Sequence, residues 1–281
     1  MRTVDIALGI SGSCRARLLV ALIATGTFLA TPVSAADSAT VVAARPEIGA
    51  ADRHIPVVVE PTLLERRVLG RSVEGRDIEA FRYGTKGGTP IMVIGVIHGD
   101  EDAGLLITDV LRTMTPPTGI DLWVIPTVNP DGTVADTRGN ANRVDLNRNF
   151  PRGWAPQGEP GYWQYAGPSA GSEPETKAVM KFVREVKPAL GIWYHQDLNM
   201  ISPGSGFEGR IRARYAKLTE LPLVRITGGR YTGVAATWQR NAVPQGLGFV
   251  VELGPTLTSS QARMHAEAVM VVARMVHGSR A

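Results

Sequence analysis

Cysteine is nearly absent. Cys14 is the only one in 281 residues, which excludes an internal disulfide framework and a cysteine-ligated zinc finger, and leaves any bound metal to His, Asp or Glu. Aromatic residues are scarce, at 6%, and no basic run interleaves with them. The net charge of +4 therefore does not point to a nucleic-acid partner. There is one extended apolar run, 18–29, preceded by Arg15 and Arg17. It has the length of a signal-peptide core and is too short to span a bilayer comfortably, and no second such run follows. The small residues Ser34, Ala35 and Ala36 offer cleavage near Ala35.

We therefore expect residues 1–35 to be a secretory signal peptide, the alternative being an uncleaved anchor. Residues 36–60, which are small, polar and aperiodic, are expected to be a flexible leader, and 61–281 the folded domain. This organisation implies a secreted, extracytoplasmic protein of the cell envelope with no stable membrane span after cleavage. Loss of Arg2, Arg15, Arg17 and Asp5 with the signal lowers the charge from +4 to +2, leaving at most a mild attraction to anionic surfaces.

The remaining composition is globular, with 44% hydrophobic and 20% charged residues; 31 glycines and 19 prolines argue against a coiled coil or an all-helical bundle. Segments 66–69 and 77–83 flank a turn at 72–75, which predicts a hairpin. The unbroken apolar run 90–97 reads as a strand buried on both faces. A helix over 103–114 and a second core strand over 122–125 complete a βαβ unit. Further core strands are expected at 190–194, 223–226 and 249–253, with a closing helix over 261–276. Ser172 and Glu175 have the spacing of a capping box ahead of a helix reaching about 186. Residues 129–171, rich in Asn, Gly, Pro and Arg, form a long loop of the kind compact domains keep for function. The fold class is α/β: a single domain with a mostly parallel, twisted central sheet covered by helices on both faces.

In such sheets ligands bind beyond the carboxyl ends of the strands. His98 and Glu101 follow the 90–97 strand, His195 follows 190–194, and Glu252 closes 249–253. Of the five histidines, His54 lies in the leader, while His265 and His277 belong to the last helix. By itself H-G-D-E at 98–101 is a charged turn. Joined to His195 at a neighbouring strand end, it matches the two-His, one-Glu recipe of a catalytic zinc site with an open fourth position. Ser205 and Ser260 have no His and Asp partners at recognisable spacing, which disfavours a serine hydrolase.

The stretch DTRGNANRVDLNRNFP (136–151), together with H-G-D-E (98–101), Y-H-Q (194–196) and V-E-L (251–253), resembles the zinc carboxypeptidases of the carboxypeptidase A type. The chain is most similar to the compact bacterial branch that includes the murein peptide amidases, and the likeness runs from about residue 66 to 255. It implies one Zn2+ ion held by His98, Glu101 and His195, with Glu252 as a base outside the metal's ligand set. It also implies that Arg138 polarises the scissile carbonyl, and that Asn147 and Arg148 grip a terminal carboxylate. One of the arginines could instead pin the loop through Asp145, while Arg143 and Arg152 face solvent.

The implied activity is a secreted metallocarboxypeptidase acting on a peptide or amide bond beside a free carboxylate. Its implied partner is a peptidoglycan-derived peptide, such as one containing γ-D-Glu-diaminopimelate. The alternatives are a deacylase of N-acyl amino acids of the succinylglutamate desuccinylase or aspartoacylase type, and a non-catalytic binder of wall peptides.

Digestive members of the family carry a mobile tyrosine before the base-bearing strand. Tyr231 reads as too early for it and Trp238 stands near the expected place, so no tyrosine is assigned that role. Trp238 is expected in a loop as a pocket wall, and one of Trp193 and Tyr194 in the core. Asn129-Pro130-Asp131-Gly132 is expected to be a tight turn, and Glu173 and Glu175 to stabilise a helix start. Gln196, Asp197, Gln239 and Arg240 are rim candidates without roles.

Overall fold

The computed structural model describes residues 2–4 and 61–280; apart from 2–4, the expected signal peptide and leader, with His54, lie outside the described residues. A hairpin of β2 (Glu65–Arg71) and β3 (Asp77–Gly84) leads into β4 (Thr89–Val96), α1 (Gly104–Leu111) and β5 (Ile120–Thr127). The long connection that follows contains α2 (Pro130–Ala135) and a 3-10 turn (Leu146–Arg148), and leads to α3 (Pro174–Val186), β6 (Leu190–Gln196) and α4 (Gly206–Thr219). The chain closes with β7 (Val224–Ile226), α5 (Ala235–Ala242), β8 (Leu247–Leu253) and α6 (Ser259–Gly278). The central sheet has the order β2-β3-β5-β4-β6-β8. Strands β5, β4, β6 and β8 are parallel, and the hairpin adds antiparallel to β5.

Strand parity explains the two cores. On β4, Ile91 and Val93 face one layer while Met92 and Ile94 face the other; β6 likewise sends Tyr194 one way and Trp193 the other. Because both faces are covered, every position must be apolar, which is why these strands read as unbroken hydrophobic runs. Helices α1, α4 and α6 cover the Tyr194 face, and α3 and α5 the Trp193 face. On α6 the buried residues Ala262, Ala266, Val269, Ala273 and Val276 keep helical spacing, and Thr258 and Gln261 form a capping box at its start.

Several expectations need correction. Strand β7 is not part of the central sheet; it pairs in parallel with β1 (Arg2–Val4) in a separate two-stranded sheet. The free edge of β8, where it would have docked, is already occupied. Met200 bridges Glu252 there, and the α4 side chains Glu208 and Arg212 bond the Gly248 backbone. Helices α4 and α5 were not foreseen. In α4 the buried Ile211, Tyr215 and Ala216 are interspersed with Arg210, Arg214 and Lys217, so its apolar stripe is narrow.

Asn129 to Gly132 is not a tight turn but the start of α2, where the Asn129 side chain caps Gly132 N–H. Helix α3 begins at Pro174 with Glu173 at its N-cap and no side-chain cap. Its acidic residues anchor neighbouring segments instead. Glu173 accepts from Asn140 and Asn142, and Glu175 from Asn140 and the Val73 backbone.

On the α6 side a buried relay runs from Tyr194 Oη to Tyr215 Oη (2.7 Å) and on to His265 Nδ1 (2.9 Å). Burial pushes the His265 imidazole down to about 4. The unfolded chain, titrating near 6.5, then binds a proton that the folded one refuses, so this contribution is intact above about pH 6.5 and is lost as pH falls toward 4. Urea unfolding at pH 7 and pH 5 should show a loss of about 2 kcal/mol from this group. His265→Gln should flatten that slope; an unchanged slope would contradict it.

Candidate metal and catalytic site

Beyond β4 the chain turns sharply, Glu101 N–H bonding the His98 carbonyl at 3.1 Å. The turn requires a glycine at 99, because a Cβ there would lie 1.9 Å from the backbone of Gly132. Strand β6 delivers His195, which is in register with Glu252 on β8, so both side chains lie on the same face at the carboxyl end of the sheet.

The Glu101 carboxylate is the hub. His98 Nδ1 lies 2.9 Å from Oε1 and His195 Nδ1 lies 2.8 Å from Oε2. The candidate donor atoms of His98, Glu101 and His195 all fall within 4.8 Å of one another, and all three residues are buried. The outer ring nitrogens are also held. His98 Nε2 meets Asp145 Oδ1 at 2.8 Å, and His195 Nε2 lies 3.2 Å from the Asn147 amide nitrogen. An imidazole anchored by a carboxylate on one nitrogen and free to ligate with the other is a usual arrangement around zinc. The donor set therefore fits the metal: two imidazoles, one carboxylate and no sulfur.

Burial alone would raise the Glu101 pKa, but the two imidazoles override it and hold the carboxyl well below the usual range. Asp145 is held low in the same way, with His98 and Arg138 prevailing over burial. His98 is raised to about 8 because Glu101 and Asp145 outweigh its burial, whereas burial prevails at His195 and lowers it. Glu252 is pushed up to about 8, first by burial and then by the negative charge of Glu101. Its carboxyl has no hydrogen-bond or salt-bridge partner among the described residues.

Arg138 donates from Nη1 to Glu101 (2.8 Å) and from Nε and Nη2 to Asp145 (3.1 and 2.9 Å). The alternative in which an arginine pins the loop through Asp145 is thus realised, within reach of the cluster. Arg148 is 3% exposed. Its Nη1 donates to the Asn147 carbonyl, and among the described residues its Nε has no partner and no carboxylate pairs with it. Burial lowers its pKa. Asn147 Oδ1 accepts from Ala235 N–H, joining this loop to the start of α5.

Tyr231, set aside in the sequence, lies with its exposed ring 5.3 Å from the Arg148 guanidinium. Trp238 is a buried residue of α5, not of a loop, packed on Phe150; it lines a surface pocket with Pro151, Arg152, Asn241 and Ala242, which includes none of the metal-cluster residues. Trp193 and Tyr194 are both core residues, on opposite faces. Of the rim candidates, Gln239 is fully buried and bonds Trp193 Nε1, Arg240 pairs with Glu208, and Gln196 clamps Gly254 and Pro255. Only Asp197 is exposed without such a bond. Arg143 and Arg152 face solvent as expected. Asp145, the anchor of His98, carries no sign in the sequence beyond its place in V-D-L-N-R-N.

Comparison with known proteins agrees with this geometry. A family model described as zinc carboxypeptidase matches residues 59–210. Murein peptide amidase A of Escherichia coli K12 is 35% identical over 159 residues, covering 52% of this chain and 64% of that protein; the chain thus spans less than two thirds of this relative. The crystal structure of murein-tripeptide amidase from Escherichia coli O157 superposes with a TM-score of 0.60 at 26% identity, covering 75% of this chain and 91% of that one. Carboxypeptidase A from Helicoverpa armigera shares the fold at TM-score 0.66 and 21% identity, covering 78% and 69%.

If Asp145 fixes the ligating face of His98, Asp145→Asn should weaken zinc binding by about 10- to 100-fold. Competition with a chromophoric chelator measures this, with circular dichroism checking that the fold persists. Wild-type affinity in the variant would remove Asp145 from the metal's support.

Proposed function

Because the chain belongs to the zinc carboxypeptidase family, and is a hydrolase of that type related to murein peptide amidase, we propose that His98, Glu101 and His195 hold one zinc ion. We further propose that the site cleaves a peptide or amide bond next to a free carboxylate, in peptidoglycan-derived peptides such as those containing γ-D-Glu-diaminopimelate. The observation that carries this reading is Arg148, a buried guanidinium beside the metal cluster that pairs with no carboxylate among the described residues. A buried cation left unpaired is costly, and a substrate carboxylate is the natural anion for its planar fork.

Zinc, when bound there, supplies Lewis acidity toward water and a carbonyl oxygen. The chain's own residues do the rest. Glu252 has no side-chain partner among the described residues to compete for its lone pairs, and the positive charge of a bound zinc would favour its ionised form, in which it can take the proton of the attacking water and return it to the leaving amine. Arg138, charged throughout the working pH range and held in place by Asp145 and Glu101, faces the carbonyl oxygen as negative charge develops there. Arg148 and Asn147 hold the departing residue by its carboxylate, which restricts cleavage to bonds near a free carboxyl.

Secretion to the cell envelope completes the proposal. It rests on Arg15 and Arg17 ahead of the apolar run 18–29 and the small residues after it. Among the described residues no helix is long and apolar enough to cross a membrane.

Assays on L-Ala-γ-D-Glu-diaminopimelate, with N-acyl amino acids as the control, test the substrate class. Hydrolysis of the peptide is expected; cleavage of the N-acyl amino acids alone would select the deacylase instead. Glu252→Gln should keep zinc and lose at least about 100-fold in kcat; equal turnover would remove Glu252 from the mechanism. Arg148→Ala should raise KM by about 100-fold for free-carboxylate substrates and change little for carboxamides. A loss independent of blocking would contradict the clamp.

A further inference from the structure

Only three aromatic rings among the described residues are strongly exposed: Tyr162 (45%), Trp163 (47%) and Tyr231 (52%). Two of them adjoin the site arginines, and the third adjoins one of those two. Tyr231 covers Arg148, Trp163 lies with its ring 5.1 Å from the Arg138 guanidinium, and Tyr162 lies 6.3 Å from Trp163. In a chain with so few aromatics, exposed rings set against both site arginines mark a surface that meets something flat or apolar.

The segment bearing Trp163 is held on several sides. Asp145 N–H bonds the Tyr165 carbonyl at 2.8 Å, and Asn149 Nδ2 and Trp154 Nε1 both donate to the Ala166 carbonyl. Gln157 bonds Gln164 and receives Thr232 Oγ1 from the neighbouring 231–233 segment. The indole is therefore presented to solvent by a braced backbone that is tied to the residue anchoring His98.

Resting on the hydrolase reading above, we infer that Trp163 is a specificity-determining platform for the acyl side of the substrate. On its open face it stacks the peptide group one residue upstream of the cleaved bond. The side follows from the two arginines: Arg148 takes the carboxylate of the departing residue, Arg138 faces the carbonyl, and Trp163 covers Arg138. The reach follows from the contacts. The Trp163 ring lies 5.1 Å from a guanidinium that itself touches Glu101 at 2.8 Å, so the indole stands within roughly two to three residues' length of the metal cluster, a span suited to a γ-linked glutamate, whose α-amide is set back from the cleaved carbonyl by the side chain. A planar amide is matched in shape by an indole face and needs no charge partner. The enzyme should accordingly prefer L-Ala-γ-D-Glu-diaminopimelate to the dipeptide γ-D-Glu-diaminopimelate, which lacks that upstream amide.

The test compares kcat/KM for the tripeptide and the dipeptide in the zinc-loaded wild type, Trp163→Ala and Trp163→Phe. The tripeptide-to-dipeptide ratio should fall about tenfold in Trp163→Ala, chiefly through KM, and recover most of its value in Trp163→Phe. An equal loss on both peptides would show that Trp163 only props Arg138, and would overturn the proposal. If the wild type cleaves neither peptide, the murein reading fails, and fluorescence decides the platform independently. Tripeptide should change the emission of wild type and leave Trp163→Phe nearly silent; the same change in both proteins, or none in either, would refute it.

Discussion

The arrangement depends on one buried carboxylate. Glu101 receives His98 Nδ1, His195 Nδ1, Arg138 Nη1 and the Gln196 backbone N–H. A carboxylate alone in such a place would cost several kcal/mol in lost hydration. Its donors come from the β4–α1 turn, from β6 and from the loop at 138, so the requirement that Glu101 be compensated draws three distant segments to one point. The same charge holds the imidazoles with their Nδ1 atoms inward and adds to the burial that lifts the Glu252 carboxyl.

The sheet supplies precision that loops alone would not. Parallel register sets His195 opposite Glu252, and strand parity sends both toward the layer containing Trp193 and Val250. A one-residue slip of either strand would turn one of them into the opposite core. The close packing of Phe150, Trp193 and Trp238 beneath the site gives these strand ends a rigid floor. The loop region above it is braced by polar bonds instead. Asn140 joins Glu173 and Glu175, and Asp131 receives Ser72, Arg76 and the Glu74 backbone. A segment of more than forty residues with little regular structure is thereby kept in one shape around Asp145, Asn147 and Arg148.

Much of this was legible along the chain, and the misses have physical causes. Strands β4, β5, β6 and β8 and helix α6 announce themselves because burial on both faces, or along a wide stripe, leaves an unmistakable apolar pattern. Helix α4 escaped because its outward arginines and lysine interrupt a narrow stripe, and β7 misled because an apolar triplet does not reveal that the β8 edge is already taken. Ser172 and Glu175 had the spacing of a capping box, yet the Glu175 carboxylate turned to partners 35 and 102 residues away in sequence.

The sequence alone determined the layered α/β architecture, the poverty of sulfur that leaves the metal to imidazole and carboxylate, and the identity of His98, Glu101, His195 and Glu252 as strand-end candidates. Those follow from local composition and periodicity, which are written into consecutive residues. Tertiary structure alone decided that Arg138 lies between Asp145 and Glu101, that Arg148 is buried with no carboxylate partner among the described residues, that Tyr231 and Trp163 lie against the two arginines, and that Trp238 turns inward. Each of these depends on which loops meet in space, and a charge or a ring finds its partner by proximity that no spacing along the chain encodes.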